Sequence, residues 1–325
     1  MTSAPTERPD PRPITSATVE RPDPAPPPAV SIVIPAYRSD RTVAGCLAAL
    51  ARQSFRDREV VLVDSSPDDA TQRIVRESFP WVRYERAAGR LLPHAARNRG
   101  VDLARADLLV FTDPDVYAHP DWLARLHAAH RATGEVVVGG IACFGRRWLD
   151  QGIHLCKFSK WLPGGPPRPL DMGPTANLLV SRADFRAAAG FPGTQLLGDV
   201  TFSRRLAAAG KALLLQPDAV VEHHHLHTFA SFLAERYRRG RLFGELRCSW
   251  LAGRRGALLG YLLVTALPVR LARIMGLVAA HAARAGQTGT YLATLPITLA
   301  GHAAALAGEA VTYARRLGPA PPAGL

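Results

Sequence analysis

Residues 109–122, LVFTDPDVYAHPDW, end an apolar run at two acidic residues that stand one proline apart. Residues 109–111 predict a buried strand, and Asp113 and Asp115 follow at its carboxyl end. Aspartate and proline are common in turns, so a plain turn is one interpretation of the pair. Paired carboxylates also bind hard cations such as Mg²⁺ or Mn²⁺, so a metal site is the other. The neighbouring sequence has to decide between them.

Apolar runs and helical patterns alternate on both sides of this stretch. Residues 30–34 and the segment EVVLVD at 59–64 predict buried strands, and the apolar spacing over 43–50 predicts a helix between them. Such alternation is typical of an α/β fold with a mostly parallel sheet and helices on both faces. Ligands of these sheets bind at the carboxyl ends of the strands, where Asp64 and Asp113 both fall. Their shared position favours a binding site over a plain turn.

Composition divides the chain into three parts. Residues 1–28 are Pro-rich, repeat ERPDP and hold almost no large apolar side chain, which predicts a disordered tail. Residues 29–227 carry the α/β pattern. Residues 228–325 contain twelve Arg and three Glu but no Lys or Asp, in a basic helix followed by two Ala/Leu-rich segments that Pro268 and Pro296 interrupt. We expect this last part to be helical and membrane-associated, because Arg-rich helices beside apolar ones suit an anionic membrane surface.

The cysteines and the N-terminus bear on the compartment. None of the four cysteines forms a CxxC pair, so neither a zinc site nor a disulfide framework is expected, and a reducing compartment fits best. The first residues are polar and lack the apolar core of a signal peptide, so none is predicted. Together with the basic C-terminal part, these observations predict a protein at the cytoplasmic face of the cell membrane.

Four segments resemble, in order and spacing, the family 2 inverting glycosyltransferases, whose nucleotide-sugar domain has the GT-A fold. They are VSIVIPAYRSDRTVAGCLAAL (30–50), EVVLVDSS (59–66), AARNRGVDLARADLLVFTDPDV (95–116) and FPGTQLLGDVTFSRRLAAAG (191–210). The resemblance implies inverting transfer of a sugar from a UDP- or dTDP-linked donor to an acceptor hydroxyl. It further implies a lipid-linked or glycan acceptor and a role in cell-surface glycan or glycolipid assembly. The QxxRW motif of processive members is absent, which favours transfer of one sugar or a few.

The resemblance also implies which residues bind the donor. Asp113 and Asp115 match the family's DxD positions, with Asp115 as the direct ligand of Mn²⁺ or Mg²⁺ and Asp113 near the ribose or the metal. A divalent cation neutralises charge that develops on the leaving diphosphate. Four further residues are implied in nucleotide binding: Pro35, Tyr37, Asp64 and Arg97. A helix or turn cap remains the alternative for Asp64, and a surface salt bridge remains the alternative for Arg97.

Asp199 stands where the family has its general base, which removes the proton of the acceptor hydroxyl. Gly198 replaces the acid that often precedes it, and a helix N-cap is the alternative role for Asp199. Within EHHHLH (222–227), His223 is implied as a third metal ligand, with His225 next in order.

Asn177 and Trp161 are implied on the acceptor side of the site. A buried amide with satisfied hydrogen bonds is the alternative for Asn177, and a packed core tryptophan is the alternative for Trp161.

Two other classes of protein remain to be compared with this one. A nucleic-acid-binding or membrane-scaffold protein with a degenerate nucleotide-sugar domain would use the basic helix at 235–247. Apolar segments follow that helix, which suits a membrane better than a nucleic acid, so no nucleic-acid partner is expected. A dinucleotide dehydrogenase needs GxGxxG after the first strand, and PAYRSD stands there instead.

Overall fold

The computed structural model describes residues 26–193, 197–251, 254–266 and 268–318. The disordered tail predicted over residues 1–28 therefore lies almost wholly outside the described residues.

One mixed sheet forms the centre of the molecule. Its nine described strands are β1 (Val30–Ala36), β2 (Arg58–Asp64), β3 (Arg83–Arg86), β4 (Leu108–Thr112), β5 (Val116–Ala118), β6 (Val136–Cys143), β7 (Arg168–Leu170), β8 (Asn177–Ser181) and β9 (Leu213–His223). Their order is β3-β2-β1-β4-β8-β6-β9-β5, and β7 pairs with β9. Strands β1, β2, β3, β4, β6 and β9 run in one direction and the other three run against it.

The helices cover the sheet and build the C-terminal part. They are α1 (Val43–Ala51), α2 (Ala70–Ser78), α3 (Pro93–Leu103), α4 (Trp122–Thr133), α5 (Trp148–Phe158), α6 (Arg182–Ala187), α7 (Gly198–Ala208), α8 (Phe229–Leu251), α9 (Arg255–Ala266), α10 (Pro268–Arg284), α11 (Thr288–Ala293) and α12 (Leu295–Leu317). A 3-10 turn, Ser159–Trp161, follows α5. The α/β architecture expected from the alternating pattern is confirmed.

The direction of the strands brings distant residues to one edge of the sheet. All seven residues of β1 are buried, as expected for a β-branched run covered on both faces. Because β2, β4, β6 and β9 run parallel to β1, their carboxyl ends meet at the same edge. Asp113 follows β4 there, and His223 is the last residue of β9. The backbone N–H of His224 donates to the carbonyl of Asp115, 2.8 Å away, which joins the two segments directly.

Strand β9 is continuous through its Pro–Asp step. Its pairing with β6 shifts register between Gly139 and Gly140, opposite Gln216 and Val220, so residues 217–219 form a bulge. A bulge accommodates proline, which has no backbone N–H to donate to the ladder.

The C-terminal helices pack on the α/β part through two small apolar clusters. In one, Leu155 and Leu162 contact Met275 and Val278 of α10. In the other, Cys156 and Ile153 of α5 pack with Phe232 and Ile297. The two parts on either side of residue 227 therefore share buried surface. The domain boundary expected there rests on sequence composition and stays a prediction.

Helices α8 and α12 are in direct backbone contact. A Cβ atom added to Gly240 would lie 1.9 Å from the carbonyl oxygen of Ala305, and one added to Gly308 would lie 2.1 Å from that of Tyr237. Only glycine permits such an approach. Beside this contact, the buried carboxylate of Glu309 accepts from Arg247 at 2.6 Å and from Arg270 at 2.9 Å.

Among the described residues, no single helix is both long and apolar enough to cross a bilayer. Helices α9 and α10 reach that length and composition only as a pair, and they are bent by 67° relative to each other.

Candidate active site

Two adjoining cavities open at the carboxyl edge of the sheet. The first, called here the β1 cavity, has a volume of about 590 Å³ and is lined by Pro35, Tyr37 and Asp115 among others. The second, the α7 cavity, has a volume of about 340 Å³ and is lined by Asp199 and Trp161 among others. Four residues line both cavities: Pro93, Arg97, Asp113 and Arg238. A ligand that fills one cavity thus reaches the wall of the other.

The shared wall is centred on an ion pair between Arg97 and Asp113. A terminal nitrogen of the Arg97 guanidinium binds one carboxylate oxygen of Asp113. The second terminal nitrogen lies 3.5 Å from Nδ1 of His94. Arg97 is 3% exposed, which excludes the alternative of a surface salt bridge. A buried guanidinium facing both cavities is suited to bind an anion there.

Asp115 and His223 form the second feature of this edge. Their carboxylate oxygen and Nε2 atoms are 3.8 Å apart. Burial raises the pKa of Asp115, and burial and the nearby Lys157 lower the pKa of His223 to about 3. The imidazole is therefore neutral at pH 7, and its buried Nδ1 has no hydrogen-bond partner among the described residues. A carboxylate and a neutral imidazole converging in this way fit a divalent cation, with Asp113 beside them.

Asp199 lies in the first turn of α7, at the wall of the α7 cavity. One of its carboxylate oxygens accepts from the N–H of Val200 at 3.0 Å, and the other is 3.8 Å from the Arg239 guanidinium. The N-cap of α7 is Leu197, so the alternative of an N-cap role for Asp199 is wrong. The carboxylate instead lines the cavity, where it is open to a ligand.

A close contact with His94 explains why the residue before Asp199 is glycine. A Cβ atom added to Gly198 would lie 2.6 Å from the imidazole ring of His94. The acidic side chain that the family resemblance leads us to expect at this position has no room beside this histidine. Burial and Arg97 lower the pKa of His94 to about 4, so the ring is neutral at pH 7.

The β1 cavity presents aromatic and cationic groups. Tyr37 is partly exposed, with the Arg90 guanidinium 4.6 Å from its ring centroid and Arg38 5.6 Å away. Pro35 lines the same wall. A flat aromatic surface with cations around it is suited to a nucleotide.

Two residues expected in the site are placed elsewhere by the structure. Asp64 is fully buried: one oxygen accepts from the N–H of Ser66 and the other from the hydroxyl of Tyr84, both at 2.8 Å. It does not line the β1 cavity, whose wall next to it is formed by Ser65. The predicted contact of Asp64 with a base is therefore not available in this conformation, and the alternative of a local cap describes its hydrogen bonds.

Asn177 is the second of these residues. Its side-chain oxygen accepts from the indole of Trp122 at 2.8 Å, and its nitrogen donates to the carbonyls of Gly140 and Ala219 at 2.9 and 3.0 Å. It is fully buried and fully hydrogen-bonded, so the expectation that it lines an acceptor pocket is corrected to a bridging role between strands. Trp161, in contrast, lines the α7 cavity, with its indole N–H donating to Met172.

Sequence reasoning did not place the basic helix α8 in the site. Three of its arginines line the α7 cavity, namely Arg236, Arg238 and Arg239, together with Glu235. Lys157 of α5 lines it too, and burial lowers the pKa of this lysine. The excess of arginine after residue 228 is the sequence feature that could have indicated this role. Such a positive charge can bind an anionic substrate as well as a membrane.

Comparisons with known proteins show which proteins this chain resembles. The sequence profile of "Glycosyl transferase family 2" matches residues 31–172. Glycosyltransferase AglE of Haloferax volcanii is 26% identical over 239 residues, which cover 70% of this chain and 76% of that protein. The succinoglycan biosynthesis protein ExoM of Rhizobium meliloti is 27% identical over 250 residues, 70% of this chain and 78% of that protein. Several other relatives are matched over at most 33% of their own length.

A solved structure shows the same fold. The mannosyltransferase PcManGT from Pyrobaculum calidifontis, in complex with GDP-Man and Mn²⁺, is 19% identical with a TM-score of 0.52, over 86% of this chain and 89% of that one. Fold and sequence thus define the class of the protein as a glycosyltransferase with a GT-A-like fold. Residues 31–172 form a family 2 glycosyltransferase domain, which confirms the resemblance of the four segments to that family.

Proposed function

We propose that this glycosyltransferase transfers a sugar, with inversion and without processive elongation, from a nucleoside diphosphate donor to an acceptor of cell-surface glycan or glycolipid assembly. The observation that carries the proposal is the shared wall between the two cavities. The β1 cavity offers an aromatic surface for a nucleotide, and the α7 cavity offers Asp199 for an acceptor. Arg97 and Asp113 stand between them, where a diphosphate and an anomeric carbon would meet.

Asp115, His223 and Asp113 would hold the divalent cation. When bound, Mn²⁺ or Mg²⁺ supplies positive charge that offsets the negative charge developing on the departing diphosphate. Two solved relatives in fold were determined with Mn²⁺, one with GDP-Man and the other, GalNAc-T7, with UDP and GalNAc. They support a metal-dependent reaction, and the donor proposed for this chain is UDP- or dTDP-linked.

Each protein group has one task in the reaction. Arg97 is held by Asp113 and presents its guanidinium to the donor diphosphate. Asp199 accepts the proton of the acceptor hydroxyl as that oxygen attacks the anomeric carbon from the side opposite the leaving group. Trp161 offers an apolar wall to the acceptor sugar.

The acceptor itself is proposed to carry negative charge. Lys157, Arg236 and Arg239 line the α7 cavity beside Asp199 and Glu235, so the cations exceed the nearby carboxylates. A lipid-linked diphosphate sugar has this charge next to its sugar hydroxyls, whereas a neutral glycan does not.

A membrane location at the cytoplasmic face is proposed with it. The C-terminal helices expose a set of large apolar side chains: Leu259, Tyr261, Leu263, Val264, Val269, Leu277, Leu292, Leu295 and Leu299. Twelve arginines accompany them from residue 228 onward. Apolar area and basic charge together favour an anionic bilayer surface.

A thermal-shift measurement tests the donor proposal. UDP, dTDP and GDP are added to the full chain with and without Mn²⁺. A ligand at about 100 times its Kd stabilises the native state by about 2.7 kcal/mol, so UDP or dTDP should raise Tm, and more so with Mn²⁺. Asp115→Asn should abolish the Mn²⁺-dependent part of the shift. The proposal fails if no nucleotide gives a metal-dependent shift in the unchanged chain.

A further inference from the structure

Cys143, His154 and His225 meet behind the candidate active site. Cys143 ends β6, His154 lies on α5, and His225 follows the end of β9 by two residues. One potential ligand atom from each, a thiol sulfur and two imidazole nitrogens, lies within 4.8 Å of the other two. Cysteine spacing did not predict a zinc site here, because these three residues are far apart in the sequence.

The two imidazoles face each other with their ring nitrogens. Nδ1 of His154 is 3.1 Å from Nε2 of His225. Nε2 of His154 is 3.0 Å from the carbonyl oxygen of Ile141, so this nitrogen carries the proton and donates it. Nδ1 of His154 therefore directs a lone pair towards His225. An imidazole whose outer N–H donates to a backbone carbonyl is the usual arrangement of a metal-ligating histidine.

The distance between the two imidazole nitrogens suits a tetrahedral zinc ion. Bonds of 2.0–2.1 Å from zinc to two imidazole nitrogens place those nitrogens about 3.3 Å apart at a tetrahedral angle. The observed separation of 3.1 Å is close to that value. His154 and His225 are 1% and 5% exposed, so both rings are already desolvated and held in place.

A half-paired carboxylate lies beside this cluster: one oxygen of Asp150 is 4.0 Å from the Arg147 guanidinium. Asp150 precedes His154 by four residues on α5, which puts both on one face of the helix. Its Oδ1 atom is buried and has no hydrogen-bond partner among the described residues, and neither has Nδ1 of His225. A buried carboxylate oxygen without a hydrogen-bond donor is costly, and a cation in addition to Arg147 would offset that cost. Asp150 and His225 also line one cavity, with a volume of about 680 Å³.

We propose that Cys143, His154 and His225 bind one Zn²⁺ ion, whose fourth position is filled from the cavity that Asp150 lines. A thiolate and two imidazoles select a borderline-soft ion such as Zn²⁺. The oxygen-rich pair Asp113 and Asp115 instead suits Mn²⁺ or Mg²⁺. The chain thus carries two metal sites of different chemistry.

The task of the zinc site is to fix the end of β9. It joins the carboxyl ends of β6 and β9 to helix α5 at the point where β9 presents His223 to the candidate active site. The rings of His223 and His225 are stacked with centroids 4.7 Å apart, so an ion that holds His225 also restricts His223. Binding at this cluster is independent of the donor proposal, because it uses none of the donor residues.

Cobalt substitution tests the proposal in the full chain. The protein is stripped with a chelator and titrated with Co²⁺, and the thiolate-to-cobalt charge-transfer absorption is recorded. One equivalent of Co²⁺ should produce this band, and one equivalent of Zn²⁺ should remove it. Absence of the band in the unchanged chain overturns the proposal without recourse to any variant.

Variants assign the ligands. Cys143→Ser should abolish the band and weaken Zn²⁺ binding by at least about tenfold, the lower end of what a lost supporting residue costs at metal sites. His225→Gln should do the same. Cys248→Ser, a cysteine on α8 outside the cluster, and Asp115→Asn should each keep the band and the Zn²⁺ affinity. A band that survives Cys143→Ser, or that is lost in Asp115→Asn, contradicts the proposed site.

Discussion

The Arg239 guanidinium lies 3.8 Å from the carboxylate of Asp199, so helix α8 contributes directly to the residue proposed as the general base. The two residues come from parts of the sequence that composition separates. Their proximity puts a positive charge beside a carboxylate that must accept a proton, and it makes the arginines of α8 part of the active-site wall.

Asp199→Asn should keep donor binding and lower kcat by about 10²-fold or more, the effect expected when a general base is removed. Turnover is measured with the full chain, and donor binding by the thermal shift with nucleotide and Mn²⁺. Asp218→Asn, on an exposed position of the bulge in β9, is the matched control and should leave both unchanged. Wild-type turnover in Asp199→Asn would exclude this residue as the base.

Arg239→Met should lower kcat/KM for a negatively charged acceptor by about tenfold to a hundredfold, because a hydrogen bond to a charged group contributes about 1.5–3 kcal/mol. Arg241→Met changes an exposed arginine two residues further along the same helix and should have little effect. Steady-state kinetics with the acceptor varied distinguishes them. Equal effects of the two changes would mean that α8 acts through its overall charge and not through this contact.

Gly198→Ala should destabilise the fold by about 1–3 kcal/mol, since the new methyl group overlaps the His94 ring. Gly276→Ala is the contrasting change: this exposed glycine lies inside α10 with nothing within 4 Å of an added Cβ atom. Alanine there should stabilise by about 0.5–1 kcal/mol, because it restricts the unfolded chain and favours the helix. Urea unfolding measures both, and a neutral Gly198→Ala would contradict the contact with His94.

The lowered pKa of the buried His302 imidazole predicts that the protein loses stability in acid. Burial and the nearby Arg236 lower the pKa of this histidine on α12 to about 4, against about 6.5 in the unfolded chain. Between these values the unfolded state binds a proton that the native state excludes. Stability is therefore fully present above pH 6.5 and falls as the pH drops towards 4.

His302→Gln should remove one proton from this linkage and flatten the slope between pH 6.5 and 4 by up to about 1.4 kcal/mol per pH unit. Unfolding by urea at several pH values measures the slope in both proteins. An unchanged slope in His302→Gln would show that the imidazole is protonated in the native state.

Vesicle flotation tests the membrane proposal. The full chain should float with vesicles containing anionic lipid and much less with neutral ones. Leu259→Gln combined with Leu263→Gln removes two exposed apolar side chains from one face of α9, and we expect binding to fall by about tenfold or more. Trp81→Gln, an equally exposed apolar residue after α2, is the control. Failure of the unchanged chain to float would favour packing of this surface against a second copy.

The sequence predicted the parts of the site that depend on strand ends. Asp113 and Asp115 follow β4 and His223 ends β9, so the direction of the strands alone brings these three to one edge. Asp199 instead lies in the first turn of α7. Local sequence does not reveal which polar side chains already have hydrogen-bond partners inside the protein. Asp64 and Asn177 have the right position for ligand binding, but Tyr84 and Trp122 donate to them from elements that sequence spacing does not connect. The arginines of α8 were recognised as basic, and only tertiary packing shows that they face the α7 cavity.

The glycine contacts between α8 and α12 join these two helices so closely that we expect them to move as one rigid unit. Gly240 and Gly308 leave no side-chain layer between the backbones, so a tilt of α12 is transmitted to α8 without being absorbed by rotamer changes. Arg239 is the residue directly before Gly240, and it lies against Asp199. Under the proposed membrane location, with Asp199 as the proposed general base, this helix pair would couple binding at the lipid surface to turnover. Such coupling is expected to appear as interfacial activation, with the specific activity on a short-chain, water-soluble acceptor rising when lipid vesicles are added.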